Sequence, residues 1–344
     1  MKNIFELSDH YKRVIKSFQE DSLCILSLFD ECDEKAINSH SISSTSLRLI
    51  SENSEVIRFG MNMASKSETG FLEERPITLR LASCFKGFCQ KHDNLIFREI
   101  DSDTFQTTQE NMALYLFRAT AQELFKKTQN LAVFSSYEIY DENVQPSIEK
   151  QAMEYGTLLG LKDIHAFLVE IRGMIEKSDY SRIKFASVQF SDHLPFSYLA
   201  AVNFRFFPQY HDVDPDAETS TEGAALAVIP STVGSRFFLI WLEESQKIIV
   251  PVLNRFKHAK SALHEFVFQL GLEHSENFYF QPSWFRSLQP KVVDRMKAVM
   301  NQNIQLLFSD INARPFCKIF DSVDPSFRLT TNSIRARSKI RGLR

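Results

Sequence analysis

The sequence predicts an α+β protein in three parts: an N-terminal zinc-binding module, a helical middle, and a C-terminal antiparallel sheet packed with helices. Three observations lead there. Four of the five cysteines, with two of the nine histidines, fall between Cys24 and Asp93. Two stretches, 107–127 and 147–177, carry apolar residues at helical spacing. From Lys184 the period shortens, and four runs rich in Val, Ile and Phe alternate with turn residues, as strands do. The expected divisions are 1–135 for the zinc-binding part with its helix, 136–180 for a long connecting helix, 181–327 for the sheet and its helices, and 328–344 for a basic tail.

Composition narrows the function classes. At 344 residues the chain is long for one domain. Its 44% hydrophobic and 24% charged residues are ordinary for a globular protein, while 31 Phe point to a phenylalanine-rich core. Only ten Gly are present, and neither GxGxxG nor GxxxxGK[ST] occurs, which argues against dinucleotide and P-loop folds. A net charge of −3 gives no global signal for nucleic acid, though a locally basic surface is compatible with it. The N-terminus lacks an apolar targeting core, and no apolar run approaches the roughly 20 residues of a bilayer span. Five cysteines then fit a reducing cytoplasm, as ligands or core residues rather than disulfides. No Gly-x-Ser-x-Gly, His-Glu-x-x-His or Cys-x-x-Cys is present.

In chain order, residues 4–20 read as an amphipathic helix on Tyr11, Val14, Ile15 and Phe18. Ser44–Ser51 reads as a short helix and Val56–Phe59 as a strand in an otherwise polar stretch, with Ser65–Gly70 an exposed loop. Thr107-Thr108-Gln109-Glu110 is a capping box that opens a helix to about Lys127. The next helix runs from Ser147 to Lys177, with Gly156, Gly160 and Gly173 as points of kinking or fraying. The strands are Lys184–Phe190, Tyr198–Phe206, Ala224–Ile229 and Arg236–Leu242, and Tyr210–Gly223 is an acidic loop. Apolar residues at steps of three and four predict one helix over Ile248–Leu270. A last helix starts at Pro282-Ser283-Trp284, with Ser283 as its cap, and runs to about Leu307. The tail Arg328–Arg344 holds six Lys or Arg and no acid.

The chemistry concentrates in Cys24, Cys32, Cys89 and His92. Cys89-x2-His92 is a zinc half-site, because two intervening residues let one tight turn aim both side chains at one ion. Cys24-x7-Cys32 is wider than the usual two to four residues. Cys84, between Ala82 and Phe85, reads as a core cysteine.

Cys24…Cys32…Ser39-His40-Ser41-Ile42, followed by Gly87-Phe88-Cys89-x2-His92-Asp93, resembles a bacterial family of largely uncharacterised proteins. The block is also similar to the HNH, or His-Me finger, nuclease layout, over roughly residues 20–125. That resemblance implies a structural zinc on Cys24, Cys32, Cys89 and His92, with His40 as general base. It implies Asp93 or Asn94 as holder of a catalytic Mg2+ or Mn2+, nucleic acid as partner, and a setting in defence against phage. Departures from the pattern are Ser39 where an acid precedes the first histidine, His92 in place of a closing cysteine, and no later histidine near Phe97. His40 thus keeps three roles: general base, a zinc ligand replacing a buried Cys24, or a hydrogen-bonded structural histidine. The alternative function is a non-catalytic, zinc-stabilised module whose C-terminal half recognises a partner protein or ligand.

Other candidates are weaker. His258 and His264, with Lys257 and Lys260, read as a solvated helix face or a phosphate-facing surface. His193 and His211 read as loop histidines or a second metal pair, Trp241 and Trp284 as core residues. The basic tail reads as a nonspecific phosphate contact or a solubilising end.

Overall fold

The computed structural model describes residues 4–61, 72–102, 104–140, 148–203, 223–259, 263–305 and 337–338, and shows an α+β protein. The first part of the chain gives α1 (Ile4–Asp21), a 3-10 turn (Ile25–Phe29), β1 (Ser39–His40), α2 (Ser44–Arg48), β2 (Glu55–Met61), β3 (Leu72–Thr78), β4 (Cys84–Phe85) and α3 (Gln90–Phe97). Two long helices follow, α4 (Gln109–Tyr140) and α5 (Ile148–Lys177). The rest comprises β5 (Ile183–Gln189), β6 (Phe196–Val202), β7 (Ala224–Ser231), β8 (Gly234–Leu242), α6 (Gln246–Ala259), α7 (Leu263–His274), β9 (Phe278–Phe280), α8 (Pro282–Ser287), α9 (Pro290–Gln305) and the two-residue β10 (Arg337–Ser338). The main sheet is antiparallel in the order β5-β8-β7-β6-β9-β2-β3, with β10 outside β5. β1 and β4 form a separate small ribbon. Among the described residues no helix is long and apolar enough to cross a membrane.

Both faces of the sheet are covered, which decides the side-chain pattern of its central strands. On β8, Phe238, Ile240 and Leu242 enter the core shared with α4 and α5. Phe237, Leu239 and Trp241 enter the opposite core, shared with α6, α7 and α9. β7 divides in the same way, with Ala225, Ala227 and Ile229 on one side and Ala224, Leu226 and Val228 on the other. A strand buried on both faces reads as a continuous apolar run, which is why 224–229 and 236–242 were legible. Cys24, Phe88, Cys89 and Phe97 belong to the α4–α5 side, so the cysteine-rich segment shares its core with the sheet. The sheet itself takes β2 and β3 from the first 135 residues and the other strands from beyond residue 180.

Several boundaries differ from expectation for identifiable reasons. At α4 the cap is Thr108, whose Oγ1 accepts from the Asn111 amide at 3.2 Å. The helix runs past Lys127 to Tyr140 because no Gly or Pro interrupts it. The glycines of α5 do not break that helix. The apolar period over 248–270 spans two helices, α6 and α7, with 260–262 outside the described residues. The expected helix from Pro282 ends at Ser287, since Pro290 drives the preceding residue out of the helical region and then opens α9. Ser283 is not the cap of α8. Gln281 holds that position, and the Ser283 amide donates to Glu52 Oε1 at 3.1 Å. The Ser283 side chain is the main cause that holds the Glu52 carboxyl below its usual range, and this amide bond adds to it. β3 and β9 were not foreseen: β3 is polar with Pro76, which suits its edge position, and β9 is only three residues long. The loop Ser65–Gly70, residues 210–222 of the acidic loop, His211, Cys317 and the tail apart from 337–338 lie outside the described residues.

One packing prediction follows from Gly271 in α7. A Cβ there would lie 2.3 Å from Tyr198 Cε1 and 2.5 Å from Phe278 Cε2, inside two buried rings. Gly271→Ala should therefore destabilise by about 1–3 kcal/mol, because the aromatic cluster must shift. Gly173→Ala, where nothing lies within 4 Å, should stabilise by about 0.5–1 kcal/mol. Urea unfolding of the two variants checks the contrast, and equal midpoints would contradict it.

Candidate metal centre

The ligand positions are built from backbone pairing before any side chain is considered. Leu23 bridges Lys35, the Cys24 amide donates to Glu34 O at 2.9 Å, and the Ala36 amide to Ser22 O at 3.0 Å. These bonds close residues 22–36 into a loop with Cys24 at its neck and Cys32 beyond the 3-10 turn. The loop is pinned to the segment before α3, since the Ile25 amide donates to Gly87 O at 2.7 Å and Ile37 to Phe88 O at 2.8 Å. Gly87 is required there: a Cβ would lie 2.1 Å from the Phe85 ring. Cys89 then caps α3, its side chain accepting from the His92 amide, so Cys89 and His92 leave the same first turn. The wide Cys24-x7-Cys32 spacing is accommodated by the turn between them.

Four ligand atoms converge, from Cys24, Cys32, Cys89 and His92, all within 4.8 Å of one another. Cys32 Sγ to Cys89 Sγ is 3.8 Å, Cys24 Sγ to His92 Nδ1 is 3.6 Å, and Cys89 Sγ to His92 Nδ1 is 3.3 Å. A tetrahedron with zinc-like bonds to sulfur and nitrogen has edges of roughly 3.5–3.8 Å, so the residues fit one tetrahedral ion. The Glu34 amide donates to Cys32 Sγ at 3.4 Å, a bond that would favour a thiolate. Cys24 is fully buried, and burial pushes its thiol up to about 12 while the backbone bonds oppose the shift. Burial raises Cys89 as well. Among the described residues the four cysteines are free of disulfides.

His40 stands outside this set. Its Nε2 lies 3.1 Å from Leu79 O and 3.5 Å from Cys84 Sγ, on the strand directly opposite. Because a carbonyl only accepts, Nε2 carries the proton in the neutral ring and Nδ1 does not. The ligand set with His40 in place of Cys24 is therefore not the one brought together. Cys84 is half-buried rather than a full core residue, its thiol held at about 11 by burial first and by Asp93 second. Asp93, on the first turn of α3, is close enough to His40 and Cys84 to couple electrostatically with both. Burial raises its carboxyl above the usual range, against the pull of Arg118, and Oδ1 is buried without a hydrogen-bond partner. Asn94 is exposed on the same helix.

Of the weaker candidates, His193, His264, Trp241 and Trp284 lie within the described residues, apart from the four-ligand cluster. His193 Nε2 meets Ser231 O at 2.8 Å, and burial lowers His264. Trp241 is buried with Nε1 donating to Gln246 Oε1 at 2.9 Å, and Trp284 packs against the same core.

One residue the sequence did not single out anchors α3. Arg118 of α4 is 1% exposed. It forks onto Asp101 with bonds of 2.6 and 2.9 Å and lies over the Phe97 ring at 4.0 Å. No local motif marks it, because its partner is 17 residues away. Asp101→Ala leaves that guanidinium buried and unpaired and should cost about 2–3 kcal/mol, discounted from a fully buried pair because Asp101 is partly exposed. Denaturant unfolding of the variant reads this, and an unchanged midpoint would rule out an anchoring role.

Beyond this geometry, no protein-family model matches the chain, and neither a curated protein nor a solved structure matches it.

Proposed function

We propose that Cys24, Cys32, Cys89 and His92 hold one structural zinc ion, and that the protein is a zinc-stabilised binding module. The observation that carries this is the convergence of four donors, from two segments 57 residues apart, within 4.8 Å of one another, with Cys32–Cys89 at 3.8 Å and Cys24–His92 at 3.6 Å, near the edges of a zinc tetrahedron. Three sulfurs and one imidazole suit zinc, and four protein ligands leave no open position for a substrate, the mark of a structural site. Free thiols among the described residues suit a reducing compartment such as the cytoplasm. Such an ion contributes folding energy directly, on the order of 10 kcal/mol apparent in small zinc modules.

Elemental analysis of purified wild type is expected to find about one zinc per chain. Cys89→Ser should lose it and unfold at a lower temperature. Wild type without zinc would overturn the reading.

A second reading is metal-dependent nucleic-acid cleavage of the HNH type, in the defence setting that the motif resemblance implies. It is supported by one observation: β1, β4 and α3 bring His40 and Asp93 into electrostatic reach beside the four-ligand cluster. With Nε2 held by the Leu79 carbonyl, His40 has an unprotonated Nδ1 suited to accept a proton from water. Mg2+ or Mn2+ held by Asp93 or Asn94 would supply charge stabilisation at the leaving oxygen. On this reading His40→Ala keeps its zinc and its fold but loses cleavage of DNA or RNA. Wild type inactive with both metals on both substrates would leave only the binding module.

A further inference from the structure

The register of β2 and β3 sets two arginines directly opposite each other. Arg58 stands across from Arg75, between the Val56–Ile77 and Gly60–Glu73 pairs. Val56 and Ile77 pack into the core shared with α4, so both arginines leave the sheet on that same face, and both are exposed. Like charges directly opposite on an antiparallel pair repel. Among the described residues the one carboxylate paired with either of them is Glu73, 3.3 Å from Arg75, and Arg58 makes no ion pair. Gly60 lies beneath the two side chains: a Cβ there would be 3.5 Å from Arg75 Cδ and 3.9 Å from Arg58 Nε and Nη2. A glycine inside a strand weakens it and often marks a place where a ligand approaches the backbone. Tyr279 enters the same core from the neighbouring β9. Its side chain is buried, and its hydroxyl accepts from the Ser83 amide at 2.6 Å. Arg58 is close enough to oppose, chiefly through its charge, the upward push of burial on that phenol. An amide and a guanidinium are donors only at nitrogen, so neither can take the hydroxyl proton. Among the described residues that proton has no acceptor.

We propose that Arg58, Arg75 and the Tyr279 hydroxyl form a binding site for a phosphate group, with Gly60 as its floor. The donor set selects phosphate over carboxylate. One guanidinium fork already matches the two coplanar oxygens of a carboxylate. Two forks and a phenol, brought together from three strands, suit the oxygens of a tetrahedral anion. Two arginines against one glutamate leave one net positive charge, which a phosphate neutralises while it relieves the repulsion across the strand pair. It also accepts the proton that Tyr279 has no other place to donate. Free phosphate and the phosphodiester of a nucleic-acid backbone share this chemistry, and experiment separates the two. None of the four metal ligands takes part, so the site stands apart from the zinc reading.

Titration calorimetry of the full-length chain as purified is the test, at fixed ionic strength with chloride as the balancing anion. Two probes are used, inorganic phosphate and a short single-stranded oligodeoxynucleotide. Binding of inorganic phosphate by wild type identifies a site for free phosphate, and binding of the oligonucleotide alone identifies the diester backbone. In either case Arg58→Gln and Arg75→Gln should each weaken binding at least about tenfold, as loss of a charged hydrogen bond does. Arg75 is exposed and pairs only with exposed Glu73, so Arg75→Gln should keep the urea midpoint of wild type, which separates lost binding from unfolding. Lys247→Gln, an exposed cation on α6 across the sheet, should bind as wild type does. Wild type that binds neither probe would overturn the proposal. Unchanged binding in the two arginine variants, or equal weakening by Lys247→Gln, would overturn it as well.

Discussion

A buried polar joint between the β1–β4 ribbon and the main sheet is the constraint on which the rest depends. Ser83, at φ +61°, turns the chain so that its amide donates to the Tyr279 hydroxyl at 2.6 Å. Its Oγ accepts from the Ile42 amide at 2.8 Å and meets Ser41 Oγ. Asn277 then donates to Ser41 Oγ, Gln122 Oε1 and Leu199 O at 3.0–3.2 Å. Ser41, Ser83, Gln122, Asn277 and Tyr279 are all buried, so an unmade bond here costs the desolvation of a polar group, about 1–3 kcal/mol each. One cluster therefore ties together the ribbon, α4, β6 and the segment entering β9, residues up to 236 apart.

This joint and the segment leading to Cys89 meet opposite ends of a ribbon only two residues long. A pair of two-residue strands has too few bonds to hold its own register. On one side Ser41 and Ser83 fix it to the sheet. On the other, the Ser39 hydroxyl spans the Phe88 amide and carbonyl at 3.3 and 3.4 Å, leading directly into Cys89. His40 and Cys84 face each other because both ends are held. The ion would then close a loop whose base is already in place, so its contribution falls on residues 22–36 and the first turn of α3 more than on the sheet.

What was legible in the sequence follows from how local each signal is. Cys89-x2-His92 declares itself because both ligands leave one helical turn, and the strands of 224–242 because two-sided burial makes them uniformly apolar. α5 was legible from helical spacing that includes Leu168, Ile171 and Ile175 of its buried face, but the same spacing took in Tyr155 and Leu159, which are exposed. The β2–β3 hairpin was half seen, since Val56–Phe59 is apolar while its partner Glu73-Glu74-Arg75-Pro76 is an edge strand without a pattern. Its place beside β9, set by Ile57 opposite Phe280, depends on a pairing 223 residues apart that no window can contain. Arg118 with Asp101 escaped for the same reason at shorter range. His40 shows the opposite limit: its order between the cysteines was visible, but its bond to the Leu79 carbonyl, which decides the tautomer, required the turn that precedes Ser83.

The cysteine loop is also tied to α5. Glu31, inside the cysteine loop and one residue before Cys32, pairs with Arg172 of α5. Arg172 is mostly buried and also holds Glu176, so the loop is tied to the helix by a charged fork rather than by apolar packing alone. Of the four ligands, Cys32 and His92 are half-buried whereas Cys24 and Cys89 are buried, and Cys32 is the one whose loop reaches toward α5. The Cys32 side of the site is therefore the side that is coupled to α5. The Cys24 and Cys89 side stays fixed by backbone bonds to Gly87 and by the cap of α3. The Arg172 fork thus holds the Cys32 side of the loop where those backbone bonds do not reach, and this favours the four-ligand geometry.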